Sequence, residues 1–135
     1  MYQSIDHPAI ACQDVSALAK WYCSNLGMQM IYSDGKQPPT VLVGYGNGVG
    51  DGAMIELMPA RDPGPPPKSI ARTVAGLRHL ALRVSDFDQA YRRLSELGVE
   101  FLFEPVTAVG GGKVVSFRDP EGNELQIVER NENSQ

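Results

Sequence analysis

The feature that most constrains this chain is a repeat. Residues Ile5-Asp6-His7-Pro8-Ala9-Ile10-Ala11-Cys12-Gln13-Asp14 align with Leu77-Arg78-His79-Leu80-Ala81-Leu82-Arg83-Val84-Ser85-Asp86 at a constant offset of 72, pairing His7 with His79, Ala9 with Ala81 and Asp14 with Asp86. The offset then drifts slowly. Ser24-Asn25-Leu26-Gly27 meets Ser95-Glu96-Leu97-Gly98 at 71, and Asp51-Gly52-Ala53-Met54-Ile55-Glu56-Leu57 meets Glu121-Gly122-Asn123-Glu124-Leu125-Gln126-Ile127 at 70. Identities are sparse, but their order and small steps mark a duplicated unit, so every later residue is read in pairs.

Each copy reads as one strand, one helix and three strands. Ser4–Cys12 alternates and is rich in strand formers, with His7 pushed toward extended backbone by Pro8. Asp14 then caps a helix whose Val15, Leu18, Ala19, Tyr22 and Leu26 form an apolar stripe ended by Gly27. Asp86, the stripe Phe87, Ala90, Tyr91, Leu94 and Leu97, and Gly98 do the same in the second copy. The remaining strands are expected over Met28–Tyr32, Thr40–Tyr45 and Ala53–Met58, and over Val99–Phe103, Lys113–Arg118 and Asn123–Glu129. Hairpin turns fall at Asn47–Gly52 and Asp119–Gly122. The domain plan is a first βαβββ module over residues 1–59, a Pro-rich linker over 60–75, a second module over 76–130 and a frayed tail over 131–135. The fold class is α+β: two tandem βαβββ modules making a cup-shaped mixed sheet with helices on the outer face.

Composition narrows the function. Twelve basic against 16 acidic side chains give a net charge of −4, with no basic run longer than Arg92-Arg93, which argues against nucleic acid or an anionic membrane as partner. Cys12 and Cys23 are too few for a disulfide framework and read as two buried thiols in a reducing compartment. No leader-like or ~18-residue apolar stretch is present, so a soluble cytoplasmic protein handling a small molecule is expected.

Strand parity assigns the polar residues a side. If Ile55 and Leu57, and Leu125 and Ile127, pack on the helices, then Glu56 and Gln126 face the concavity. The same argument on the first strands leaves His7 and His79 facing it too. Four inward polar groups are costly unless hydrogen-bonded or coordinated. Two imidazole nitrogens and two side-chain oxygens suit a divalent ion such as zinc, nickel, cobalt, iron or manganese. The other concave positions, Ala9, Ala11, Met54, Met58, Ala81 and Val128, suit a modest organic ligand, with Arg83 at the rim as a candidate for a substrate carboxylate. Gly110-Gly111-Gly112 reads as a mobile loop, not a phosphate loop.

These stretches, and above all Phe117-Arg118-Asp119-Pro120-Glu121-Gly122-Asn123-Glu124-Leu125-Gln126, resemble the vicinal oxygen chelate superfamily over residues 4–129. That superfamily includes glyoxalase I, methylmalonyl-CoA epimerase, thiol transferases, extradiol dioxygenases and bleomycin-resistance proteins. The resemblance implies metal ligands at His7, Glu56, His79 and Gln126, and a homodimer. It further implies a glyoxalase-like lyase or isomerase of lactoylglutathione lyase type, acting on vicinal oxygens through a metal-stabilised enediolate. Gln126 departs from the glutamate usual there, and an amide cannot serve as a general base. The catalytic carboxylate is then Glu56 or, two residues before Gln126 on the same strand face, Glu124. A non-catalytic small-molecule-binding or resistance protein, and a dioxygenase or thiol transferase, are the alternative readings.

Overall fold

The computed structural model describes residues 1–62, 64, 65, 68 and 70–131. Linker residues Pro63, Pro66, Pro67 and Ser69 and tail residues 132–135 lie outside them. Two compact units result, Met1–Gly64 and Pro65–Gln135.

The first unit runs β1 (Ala9–Cys12), α1 (Val15–Asn25), β2 (Gln29–Ser33), β3 (Val41–Gly44) and β4 (Met54–Pro59). The second runs β5 (Leu80–Arg83), α2 (Phe87–Glu96), β6 (Val106–Thr107), β7 (Lys113–Arg118) and β8 (Glu124–Glu129). Each unit carries a four-stranded mixed sheet, ordered β1-β4-β3-β2 and β5-β8-β7-β6, in which only the first and last strands pair in parallel. The α+β reading with a helix on one face of each sheet holds. Among the described residues no helix is long and apolar enough to cross a membrane.

The helices form where local chemistry places them. Asp14 accepts from the Ala17 amide and Asp86 from the Gln89 amide, both at 3.0 Å, which satisfies donors that the first helical turn leaves open. Both helices stop at a glycine with positive φ, 71° at Gly27 and 75° at Gly98, a conformation side-chain-bearing residues avoid. The α1 stripe of Val15, Leu18, Ala19 and Tyr22 is buried with Val41, Val43 and Leu57. In the second unit Phe87 and Leu94 of α2 are buried with Val115, Phe117, Leu125 and Ile127. Leu97, expected in that stripe, is exposed. Cys12 is buried but Cys23 only half-buried, correcting the expectation of two buried thiols.

Three further expectations need correction. The first strands are shorter than read: β1 and β5 start at Ala9 and Leu80, so His7 and His79 stand just before them. The expected strand Val99–Phe103 is reduced to a single bridge, Phe101 with Phe117, and pairing resumes only at Val106. Pro105, lacking an N–H, interrupts the ladder between the two pieces. Gly110–Gly112 is a pinned hairpin turn. Arg130 donates to the carbonyls of Val109 and Gly111 at 2.6 and 2.8 Å, and a side chain at Gly112 would strike the Glu129 carbonyl.

Candidate functional site

The two units place their candidate residues by the same register. In the first, Ala9 pairs with Glu56; in the second, Ala81 pairs with Gln126. Each histidine lies two residues before the strand residue facing its acid or amide, and period-two alternation then puts His7 with Glu56, and His79 with Gln126, on one face of their respective sheets.

In the first unit the Glu56 amide donates to the Pro8 carbonyl at 3.0 Å, which carries the parallel pairing one residue past β1 toward His7. Nδ1 of His7 lies 2.7 Å from Oδ2 of Asp6. A carboxylate only accepts, so the proton of that bond sits on Nδ1, and Nε2 keeps the lone pair in the neutral ring. Glu56 is half-buried between Ala9 and Leu42 in the ladder, with Met54 and Met58 on the same face. Its carboxylate has no hydrogen-bond or ion-pair partner among the described residues.

The second unit is built differently around the same register. Glu124, two residues before Gln126, has a side chain only 5% exposed. Both its oxygens accept from Nε of Arg72 at 3.2 Å, and Oε2 also accepts the Ser116 hydroxyl at 2.8 Å. The Ser116 oxygen in turn accepts from Nε2 of Gln126 at 3.0 Å. Nδ1 of His79 stands 3.8 Å from Oε2 of Glu124, outside hydrogen-bond range. The Arg72 guanidinium lies 5.0 Å from the centre of the Phe103 ring. Glu124 is therefore neither solvated nor free.

Arg83 is not brought to this cluster. It is exposed at the far end of β5, opposite Val128 and about 13 Å along the strand from His79 by strand rise. There it lines an open depression of about 650 Å³ with Ser85, Glu129 and Arg130. The basic side chain on Glu124 is Arg72, which lies in the segment read as linker. Sequence reasoning also missed Ser116, although the parity rule applied to β7 puts its side chain on the Gln126 face.

Among the described residues no three His, Cys, Asp or Glu side chains are grouped to hold a metal ion. The set His7, Glu56, His79 and Gln126 is divided two and two between the units, and its fit rests on donor chemistry. His7 is held through Nδ1 by the Asp6 carboxylate, the arrangement that leaves Nε2 as the ligand nitrogen, and His79 has Nδ1 3.8 Å from the Glu124 carboxylate without a hydrogen bond. Two imidazole nitrogens, one free carboxylate and one amide oxygen match a borderline divalent ion.

The family model of the Glyoxalase/Bleomycin resistance protein/Dioxygenase superfamily matches residues 4–127. The uncharacterised protein YwkD of Bacillus subtilis (strain 168) is 30% identical over 132 residues, covering 96% of this chain and 99% of its own length. Among solved structures, TnmS3, an antibiotic binding protein from Streptomyces sp. CB03234, superposes with a TM-score of 0.70 at 22% identity, covering 96% of this chain and 98% of its own. Lactoylglutathione lyase from Agrobacterium tumefaciens does so at 0.64 and 21%, covering 95% and 94%. These two likenesses bear on the fold.

Proposed function

We propose that this chain, which belongs to the Glyoxalase/Bleomycin resistance protein/Dioxygenase superfamily, is a metal-dependent lyase or isomerase acting on a small substrate with two neighbouring oxygens. The observation that carries the reading is the shared register: His7 with Glu56, and His79 with Gln126, at equivalent points of two equivalent sheets. His7 and His79, through Nε2, and the oxygens of Glu56 and Gln126 would hold the ion. When bound, a divalent ion supplies Lewis-acid stabilisation of negative charge developing on substrate oxygen.

Proton movement falls to Glu56. Its carboxylate has two oxygens, no hydrogen-bond or ion-pair partner among the described residues, and apolar neighbours, so it can take the proton from a hydroxyl-bearing carbon next to a carbonyl and return it to the former carbonyl carbon, while the hydroxyl proton passes from one substrate oxygen to the other. The proton count is unchanged over the cycle, which makes the reaction an isomerisation. Gln126 carries no titrating proton and cannot share this task. Glu124, the alternative base, is engaged by Arg72 and Ser116, which favours Glu56 for this task. The reading extends to a cytoplasmic protein, as its composition suggests, and to a homodimer, as the family resemblance implies.

The test is turnover of the methylglyoxal hemithioacetal and of related hydroxycarbonyl compounds in D2O by protein loaded with zinc or nickel. Product formation or deuterium uptake at the carbon next to the carbonyl is expected, and is lost in Glu56→Gln. Metal-loaded protein that exchanges no proton on any of them, or a Glu56→Gln variant as active as the parent, contradicts the reading. A second reading, a small-molecule-binding protein without catalysis, is favoured by one observation: the position equivalent to Glu56 is the amide Gln126, and the neighbouring carboxylate Glu124 is engaged by Arg72 and Ser116. Metal-independent ligand binding that His7→Ala leaves unchanged would support it.

A further inference from the structure

We infer that Glu124 is the positioning residue of the second unit, orienting both His79 and Gln126, and that its grip through Ser116 is why position 126 is an amide. The argument is one of counting protons. The Glu124 carboxylate accepts only, so the single Ser116 hydroxyl proton goes to it across 2.8 Å. The Ser116 oxygen can then only accept, and its neighbour at 3.0 Å must be a donor. Gln126 therefore turns its NH2 toward Ser116, leaving its carbonyl Oε1 as the atom available to a cation. A carboxylate at 126 would meet a serine whose proton is already committed, with a second negative charge one residue pair away.

The same carboxylate faces Nδ1 of His79 at 3.8 Å, which leaves Nε2 as that ring's outward nitrogen. Arg72, donating from Nε to both oxygens, compensates the charge and fixes the carboxylate plane. Ser116 is fully buried, so the relay is shielded from competing water. In the first unit the position equivalent to Glu124 is Met54, and His7 takes its carboxylate from its neighbour Asp6 instead. One buried acid thus serves two donors where the other unit uses an exposed acid for one.

The proposal rests on Gln126 and His79 being metal ligands, and its test separates the two claims. In the full-length metal-free protein, the Gln126 side-chain amide resonance, assigned by its loss in Gln126→Glu, should be exchange-protected and should shift and lose protection in Ser116→Ala. Titration with Zn2+ alone against a chelator should show affinity falling about 10- to 100-fold in Ser116→Ala. Glu56→Gln should weaken Zn2+ while leaving the amide resonance in place. As a check independent of metal, Gln126→Glu should lower Tm by several degrees, and the exchange Glu124→Gln with Gln126→Glu, which lets the relay run in reverse, should recover more than half of the loss. An amide resonance unmoved by Ser116→Ala, or an exchanged double variant no better than Gln126→Glu, overturns the relay. An amide that shifts while Zn2+ affinity stays within twofold overturns the positioning role but leaves the metal reading standing. Parent protein that takes up no Zn2+ overturns both.

Discussion

The two units share a frame and divide the chemistry. Sheet order, helix caps, glycine stops and the register of the histidine against the last strand are the same in both. Polar side chains are not. Around Glu56 the ladder and same-face neighbours are Ala9, Leu42, Met54 and Met58; around Gln126 the cluster includes Ser116, Glu124 and Arg72. A carboxylate among apolar side chains is left free to take a proton. One tied to an arginine and a serine is fixed in place and can hold its neighbours still. Duplication supplied two copies of one frame, and the difference between them is why the proposal gives proton transfer to Glu56 and positioning to Glu124.

The largest expected effect breaks this comparison directly. Glu56→Gln should lower kcat/KM about 10²- to 10⁴-fold, the range for a general base, whereas Glu124→Gln should cost about 10- to 100-fold through its hold on His79 and Gln126. Steady-state kinetics on both variants decide it, since equal losses would mean that the units share the proton transfer. Next come the cores, where the units should respond alike. Leu57→Ala and Ile127→Ala, at equivalent buried positions, should each destabilise by about 3 kcal/mol in urea unfolding.

The helix caps sharpen the comparison on a smaller scale. Asp14→Ala should cost about 1 kcal/mol. Asp86→Ala should cost less, about 0.5 kcal/mol, because the α2 N-terminus has a second acceptor: Oε1 of Glu129 receives the Phe87 amide at 2.9 Å, and the equivalent first-unit residue is Pro59. The smallest effect concerns Tyr45, whose hydroxyl donates to the Leu26 carbonyl at the end of α1 at 2.9 Å. Burial pushes this phenol up from 10 to about 12. A raised pKa means the folded protein holds the proton more tightly, so the associated stability is complete below pH 10 and is lost as pH rises through about 12. Tyr45→Phe should cost about 0.5 kcal/mol at neutral pH and flatten the alkaline limb of the unfolding curve.

How much of this was legible in the sequence follows from the range of each interaction. Caps, stops and strand parity are local, and Asp14, Asp86, Gly27, Gly98 and the 113–118 strand could be read from neighbouring residues alone. The repeat made the four ligand candidates legible too, because it compares positions about 70 apart without needing contacts. The break in the ladder at Pro105 was missed because the apolar run Val99–Phe103 carries strand chemistry up to the proline, and only the partner strand shows where pairing stops. The state of Glu124 was beyond reach for a similar reason. Its main partner, Arg72, is 52 residues away in a segment without periodicity, and nothing local distinguishes a solvated strand glutamate from a buried, paired one.

The central proposal is that His7, Glu56, His79 and Gln126 are metal ligands. Zinc content by elemental analysis, on parent, His7→Ala and His79→Ala proteins equilibrated side by side with Zn2+, tests it most directly. The account predicts one ion per chain in the parent and loss in both variants to a similar degree. Stoichiometric zinc retained by either variant, or none in the parent, would contradict it.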